Sequence, residues 1–424
     1  MIDQEVLRRM LAGAERPGDH FADCFAERRV TVQCIVRGGT PEIAVQRQRG
    51  VAVRGHGPGG SWLRHEPALE DTIRGPELPR DLMDGAARVA SEAAAVVEGA
   101  GAASRVFIVL AEQEVAIARS DGLSHGEIRR HAHLRVEAVA RRGRRMRTAR
   151  RLATAIGPAE LREGSAHRRL AASAAEAALH RLEAVDAPAG ETVVVLGPGM
   201  PAALLHEACG HLLESDVAGR PASAFHGRMA TRVGSPLLTI VDDPSPAGVV
   251  GHYERDDEGE PGRQVALVER GVLRDLLLDR TTAHLLGRRS NGHGRRTGYQ
   301  FAPLPRMTAT ILLAGGSGAE EIVRETARGL YVASMRGGDT DLGGRFHLYV
   351  EEGFLIEGGR LTAPVRGAIV SGHGPDVLER VDRVAGDLGL AMHASACSKL
   401  DGASLTVSLG QPTIRVTGLA VWGG

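Results

Sequence analysis

His206 and His211 stand five residues apart in the run His206-Glu207-Ala208-Cys209-Gly210-His211, and this spacing restricts the local backbone more than any other feature of the chain. On a regular α-helix, at about 100° per residue, five steps turn the two rings about 140° away from each other. Four steps would stack them on one face. One extra residue wound into a π-type turn returns a five-residue pair to the same side, and such turns concentrate at functional sites. Gly210, directly before His211, is the residue expected to relax the backbone there. Thr192 to Leu196 precedes the run as a short apolar strand, Gly197-Pro198-Gly199 turns the chain, and Pro201 suits the first position of a helix. A polar trio near the start of such a buried helix is expensive unless it has a purpose.

A hydrolytic zinc site takes nitrogen or thiolate donors at three positions, leaves a fourth open to water, and places a carboxylate to take that water's proton. His206 and His211 supply two donors, and Glu207 supplies the base. A bare His-Glu-x-x-x-His pattern is unspecific, and its strand, turn and helix setting is what gives it weight. Cys209, three residues from His206, is within reach as a donor, although a small buried thiol fits it better. Cys397 is the better third ligand: it falls among small residues in Ala394-Ser395-Ala396-Cys397-Ser398-Lys399, where close approach is easy, and Lys399 would lower its pKa if directed at the thiol. Cys24 and Cys34 read as core filling, and His252, His284, His293 and His373 take no role from spacing.

Along the chain, Val30 to Val36 and Val45 to Val53 alternate in part around Gly38-Gly39, which predicts a hairpin or neighbouring strands before Gly55 to Gly60 breaks the pattern. Asp81 to Glu98 has the spacing of one helix face. Arg105 to Arg119 and Leu134 to Ala140 read as strands joined at Ser120-Asp121-Gly122. The basic run Arg141 to Arg147 has no interleaved aromatics and reads as a solvated loop in preference to a nucleic-acid patch. Ser165 to Val185 is an Ala-rich helix with Ser165 as N-cap, stopped by Pro188 and Gly190. That stop divides the chain into an N-terminal α+β lobe, residues 1–187, and a C-terminal domain, residues 188–424. Beyond Leu237 the pattern is mostly β with recurrent glycine turns, interrupted by helices at Ala319 to Gly329 and Pro375 to Gly386.

Formal charge is zero, from 52 basic and 52 acidic side chains, so no global field favours nucleic acid or an anionic membrane. Four cysteines in 424 residues are no disulfide framework and fit a reducing cytoplasm. The N-terminus lacks a signal-peptide pattern, and no run of about 18 apolar residues occurs, so neither export nor a membrane span is expected.

The chain resembles the TldD/PmbA peptidases, and specifically their metal-bearing TldD-like branch. The likeness rests on Val193 to Gly199 leading into Leu205 to Asp216, then Asp256-Asp257-Glu258-Gly259-Glu260-Pro261, Asn291-Gly292-His293-Gly294-Arg295-Arg296, Pro305-Arg306-Met307-Thr308 and Gly410 to Val416. It covers residues 190 to 424 closely. The N-terminal part, short for the family, matches more loosely around Gly50 to Arg54 and Ser120-Asp121-Gly122. The resemblance implies an α+β fold class, with an N-terminal α+β lobe followed by a β-rich C-terminal lobe carrying the metal-binding helix. It implies a Zn2+ ion held by His206, His211 and Cys397, Glu207 as general base, and cleavage of short or unfolded peptides. It also implies a TldE/PmbA-like partner chain in a heterodimer that encloses the site, with a homodimer as the other arrangement. Where the family's cysteine is followed by Gly-Lys and soon by Gly-Gln, this chain reads Cys397-Ser398-Lys399-Leu400-Asp401-Gly402-Ala403, which bears on loop shape and substrate preference. Two rivals stand beside the peptidase: a catalytically silent binding or assembly subunit, and a thiol or redox enzyme using Cys209 and Cys397.

Overall fold

Alternating apolar residues build the first lobe. β1 (Phe21–Arg37) and β2 (Thr40–Gly57) form an antiparallel hairpin in which Arg37 faces Thr40 and Gly38 and Gly39 both take positive φ. With β3 (Gly60–His65), β4 (Ala103–Arg119), β5 (Ser124–Arg142) and β6 (Arg145–Ala155) they complete an antiparallel sheet ordered β3-β2-β1-β4-β5-β6. The computed structural model describes residues 2–14, 16, 18–66, 80–246, 249–399 and 404–423, without the side chains of 391–396. The unusual loop after Cys397, Leu400 to Ala403, lies outside the described residues.

Period-two alternation gives β1 two different faces. Its even-numbered residues Ala22, Cys24 and Ala26 pack with α1 (Gln4–Ala14), and Val32, Cys34 and Val36 pack with α2 (Arg80–Gly99) and the helix Ala166–His180. The odd-numbered Asp23, Phe25 and Glu27 are buried on the other face, toward the second lobe. Both predicted hairpins are present with longer strands, since β2 runs on through Gly55 to Gly57. Gly122, at φ 91°, closes the second of them. The basic run occupies the exposed β5–β6 turn. Ser165 precedes the Ala-rich helix as expected, but it is in the left-handed region at φ 62° and makes no capping hydrogen bond, so the helix lacks the expected N-cap.

The short strand Val185–Asp186, just ahead of the expected division, lies parallel to Arg360–Arg366 of the second lobe. Gly190–Leu196 follows, parallel to Arg328–Thr340 and antiparallel to Ile414–Trp422. From Ile414–Trp422 the pairing continues through Ile369–His373 and Arg345–Glu357 back to Arg328–Thr340, closing a ring of five strands. A separate six-stranded sheet runs in the order Val272–Leu273, Val265–Glu269, Ile240–Asp242, Ala309–Leu312, Ser404–Gln411, Gly389–Ser398. Cys397 sits near the end of its last strand. The expected helices are shorter than the sequence pattern suggests, Ala319–Arg324 and Gly374–Glu379, because strands begin at Arg328 and Val381. No helix among the described residues is long and apolar enough to cross a membrane.

The lobes meet over buried charge. Asp256 Oδ1 accepts the backbone N–H groups of Glu258 and Glu260, folding an acidic loop around Gly259 at φ 80°. That loop presents Asp257 to Arg129 at 2.5 Å, Glu258 to Arg54 at 2.6 Å and Glu260 to Arg119 at 2.7 Å, all from the first sheet. Arg296 reaches back to Asp23 at 3.4 Å. Removing one partner from such a pair leaves a buried charge uncompensated, so separating the lobes here is costly.

Candidate metal centre

After Gly199, at φ 82°, a single helical turn at Met200–Ala202 with proline in its first positions leads into Ala203–Leu205. His206–Gly210 then forms a π-helical turn, the distortion that a five-residue histidine spacing requires. It brings the two rings to a centroid distance of 4.7 Å at 77°. Gly210 itself has ordinary helical angles, φ −52° and ψ −58°, so backbone relaxation is not its role. A Cβ there would fall 2.3 Å from Met307 Sδ, and close packing against Met307 is what demands glycine.

The strand Gly389–Ser398 brings Cys397 to this turn, with Sγ 3.4 Å from His211 Nε2. His206, His211 and Cys397 each offer a donor atom within 4.8 Å of the others. Burial alone would raise the Cys397 thiol. The charge of His206 and hydrogen bonds to both imidazoles instead hold it well below its ordinary value, so a thiolate is available there. For His211, burial is likewise outweighed by Cys397 and Glu214, which raise its pKa well above the usual range. His206 Nδ1 is buried with no hydrogen-bond partner. Two imidazoles and a thiolate, close together, largely buried and incompletely satisfied, fit the donor set of a divalent zinc ion.

Three further residues complete the surroundings, and their roles do not show in the sequence pattern. Glu214 is fully buried and its Oε2 lies 3.4 Å from His211 Nδ1, in the position from which a carboxylate orients a ligating imidazole. Burial would raise the Glu214 carboxyl, but Lys399, His211 and Arg306 bring it down to about 2. Lys399 points at Glu214 (3.1 Å) and Asp216 (2.6 Å), so it braces the carboxylate and, contrary to expectation, does not address the thiol. The cation beside the thiol is Arg306, with Nη2 3.4 Å from Cys397 Sγ and 2.6 Å from its carbonyl oxygen. The three-residue spacing of His211 and Glu214 is the one available signal for these contacts. Arg306 and Lys399 carry no such signal.

Cys209 faces the core, donating to Leu205 O at 3.2 Å, and burial pushes its thiol up to about 12. Cys24 is pushed up to about 12 as well, chiefly by burial. His293 contacts Asp242 at 3.2 Å in the interior, and the His284 ring lies tilted against His20 at a centroid distance of 4.3 Å. Glu207 lies beside the donors on the wall of an interlobe cleft of about 1130 Å3, which His206, His211 and Cys397 also line.

Residues 189–423 match the model of the PmbA/TldA metallopeptidase C-terminal domain, and residues 69–182 match that of the central domain. The chain belongs to the PmbA/TldD metallopeptidase family. A Haemophilus influenzae protein named Metalloprotease TldD homolog is 39% identical over 60% of this chain and 52% of its own length. A Saccharolobus solfataricus protein named Zinc metalloprotease TldD homolog is 32% identical over 58% of the chain and 54% of its length. A Methanothermobacter thermautotrophicus metalloprotease is 31% identical over 84% of the chain and 78% of its length. The alignment to the first of these spans about half of that relative. Among solved structures, TldE from Thermococcus kodakarensis shares the fold of this PmbA/TldD member at TM-score 0.78 and 16% identity, covering 98% of this chain and 99% of that one.

Proposed function

We propose that the chain is a zinc-dependent peptidase that hydrolyses short or unfolded peptides, with His206, His211 and Cys397 as metal ligands and Glu207 as general base. The observation that carries this reading is the convergence of the three donors within 4.8 Å on the wall of a large cleft that Glu207 shares. A zinc ion bound there would polarise the scissile carbonyl and acidify an attacking water. Glu207 removes the proton of that water and returns it to the leaving amine nitrogen. Glu214 holds the His211 ring, while Lys399 and Arg306 hold Glu214. The strand Arg328–Thr340 pairs with Gly190–Leu196 only through Val332; past that point one ladder edge is unpaired among the described residues, and residues 335–340 line the cleft. Such an edge suits an extended peptide, whose main chain it can bond without regard to sequence.

The site-bearing domain is assigned to residues 188–424 and the supporting lobe to 1–187. Four free cysteines fit a reducing cytoplasm. The partner is a TldE/PmbA-like chain or a second copy of this one, a reading supported by family membership and by the fold shared with TldE.

The test is peptide hydrolysis by the purified chain, with and without zinc, a chelator and a co-encoded relative, read by mass spectrometry. Zinc-dependent cleavage that vanishes in Glu207→Gln is the expected result. A chain without bound metal and without cleavage would be the silent assembly subunit, and cleavage that survives chelation but not a thiol blocker would be the thiol enzyme.

A further inference from the structure

The first sheet contributes His133, Arg135, Arg150 and Leu152 to the cleft that the donor triad also lines, and the charge on that face is uneven. Register places Arg37 of β1, Arg105 of β4, Glu137 of β5 and Arg150 of β6 side by side in one cross-strand row. Three guanidinium groups therefore share one carboxylate: Glu137 lies 3.7 Å from Arg105, 3.4 Å from Arg135 and 3.0 Å from Arg150. Arg135 comes from the adjacent row and stacks over Phe107 at 4.0 Å. Arg37 stands directly opposite Arg105 with no carboxylate partner among the described residues. Like charges facing each other across strands are destabilising, so the Arg37 and Arg105 pair opposes the support that Glu137 gives the row from between Arg105 and Arg150.

The excess positive charge is accessible. Side-chain exposure is 50% for Arg105, 36% for Arg135 and 32% for Arg150, against 8% for Glu137, and both Arg135 and Arg150 line the cleft. The β5–β6 turn continues the same edge of the sheet with exposed Arg141, Arg142, Arg144 and Arg145, of which only Arg142 has a carboxylate partner, Glu183, among the described residues. In a chain of zero formal charge, this concentration creates a local field absent from the molecule as a whole. The acids that line the cleft are Glu207, Asp339, Asp341 and Glu351, and of these Glu351 lies close enough to Arg150 to feel its charge.

We infer that the Arg105, Arg135 and Arg150 wall is a subsite for carboxylates of the peptide substrate, giving the cleft a preference for acidic peptides. The inference rests on the peptidase reading for the word substrate, and its test reads binding, which hydrolysis does not enter. Guanidinium forks match carboxylates in shape and charge, and a low-dielectric cleft strengthens the pairing. Acidic side chains and the C-terminal carboxylate are two sources of that one group. Single-stranded nucleic acid is disfavoured because the wall offers Phe107 to its own arginines and no further aromatic platform among the described residues.

The experiment uses the zinc-loaded Glu207→Gln chain and labelled ten-residue peptides, followed by fluorescence anisotropy. One peptide is glutamate-rich and C-terminally amidated; the second replaces every glutamate with glutamine; the third is that glutamine peptide with a free C-terminus. The glutamate peptide should bind at least about tenfold more tightly than the amidated glutamine peptide at low salt. The advantage should shrink as salt shortens the range of the field. A gain for the third peptide alone would assign the subsite to the chain terminus. Arg105→Gln with Arg150→Gln should remove the preference with only a modest fall in melting temperature, since Arg135 still pairs Glu137; Arg37→Gln alone relieves the repulsion with Arg105 and should leave the melting temperature unchanged or higher. Equal affinities, no binding by any peptide, or tighter binding of an oligonucleotide of matched charge would overturn the inference. Binding with the predicted preference by a wild-type chain that never cleaves would leave the subsite standing and reject only the peptidase reading.

Discussion

Two groups of three potential ligands occur among the described residues, His206 with His211 and Cys397, and His125 with Glu127 and Glu254; in each the donor atoms lie within 4.8 Å of one another. They differ in what else those atoms are doing. Glu127 is already engaged by Arg129 Nε and by the backbone N–H of Glu254 at 3.0 Å, and Glu254 is exposed. In the other group the donors are largely buried, His206 Nδ1 has no partner, and a carboxylate stands behind His211. Proximity alone therefore does not make a metal centre. Donors must be left available by their own protein and held by an outer layer that is itself fixed.

The largest expected contrast comes from deleting one donor on each side. Cys397→Ala should lose metal and lower cleavage by at least about a thousandfold, the scale of removing a Lewis acid worth several kcal/mol. His125→Ala with Glu254→Ala should keep one metal per chain and near-normal cleavage. Metal analysis and hydrolysis rates check both, and metal loss in the second variant would break the comparison. Next in size is Glu207→Gln, which should retain its metal while cleavage falls by about 10² to 10⁴. A rate within about threefold of wild type would remove Glu207 from the chemistry.

Glu214→Gln sharpens the comparison from the outer layer. Titration against a competing chelator should show metal affinity reduced by about 10- to 100-fold, the usual cost of losing an orienting carboxylate. An unchanged affinity would make Glu214 merely a partner of Lys399 and Arg306. The smallest effect belongs to Gly210→Ala. Its added methyl meets Met307, and the overpacking should cost about 1–3 kcal/mol, visible as a lower melting temperature.

Parts of this arrangement are legible in the amino-acid sequence, for identifiable reasons. Histidines five apart on a helix admit few backbone solutions, and the π turn at His206–Gly210 is the expected one. The hairpins of the first lobe show because each strand has one face under a helix and so alternates, and because Gly38-Gly39 and Asp121-Gly122 mark the turns. In the second lobe the strands are short, such as Ile240–Asp242, whose three residues are all buried, and no alternation remains to be read. The helices at Ala319 and Gly374 look longer in sequence than they are because apolar residues of the following strands continue the helical spacing. The partner of Lys399 is hidden, since nothing in its neighbourhood of the sequence announces Glu214, 185 positions away. Likewise, the charge row across β1, β4, β5 and β6 exists only through register, which scatters its members from Arg37 to Arg150.

X-ray absorption at the zinc edge of the purified, metal-loaded chain reads the ligand set directly. Two nitrogen scatterers at about 2.0–2.1 Å and one sulfur at about 2.3 Å are expected, with the sulfur lost in Cys397→Ala. A first shell of nitrogen and oxygen without sulfur in the wild-type chain would rule out the His206, His211 and Cys397 centre.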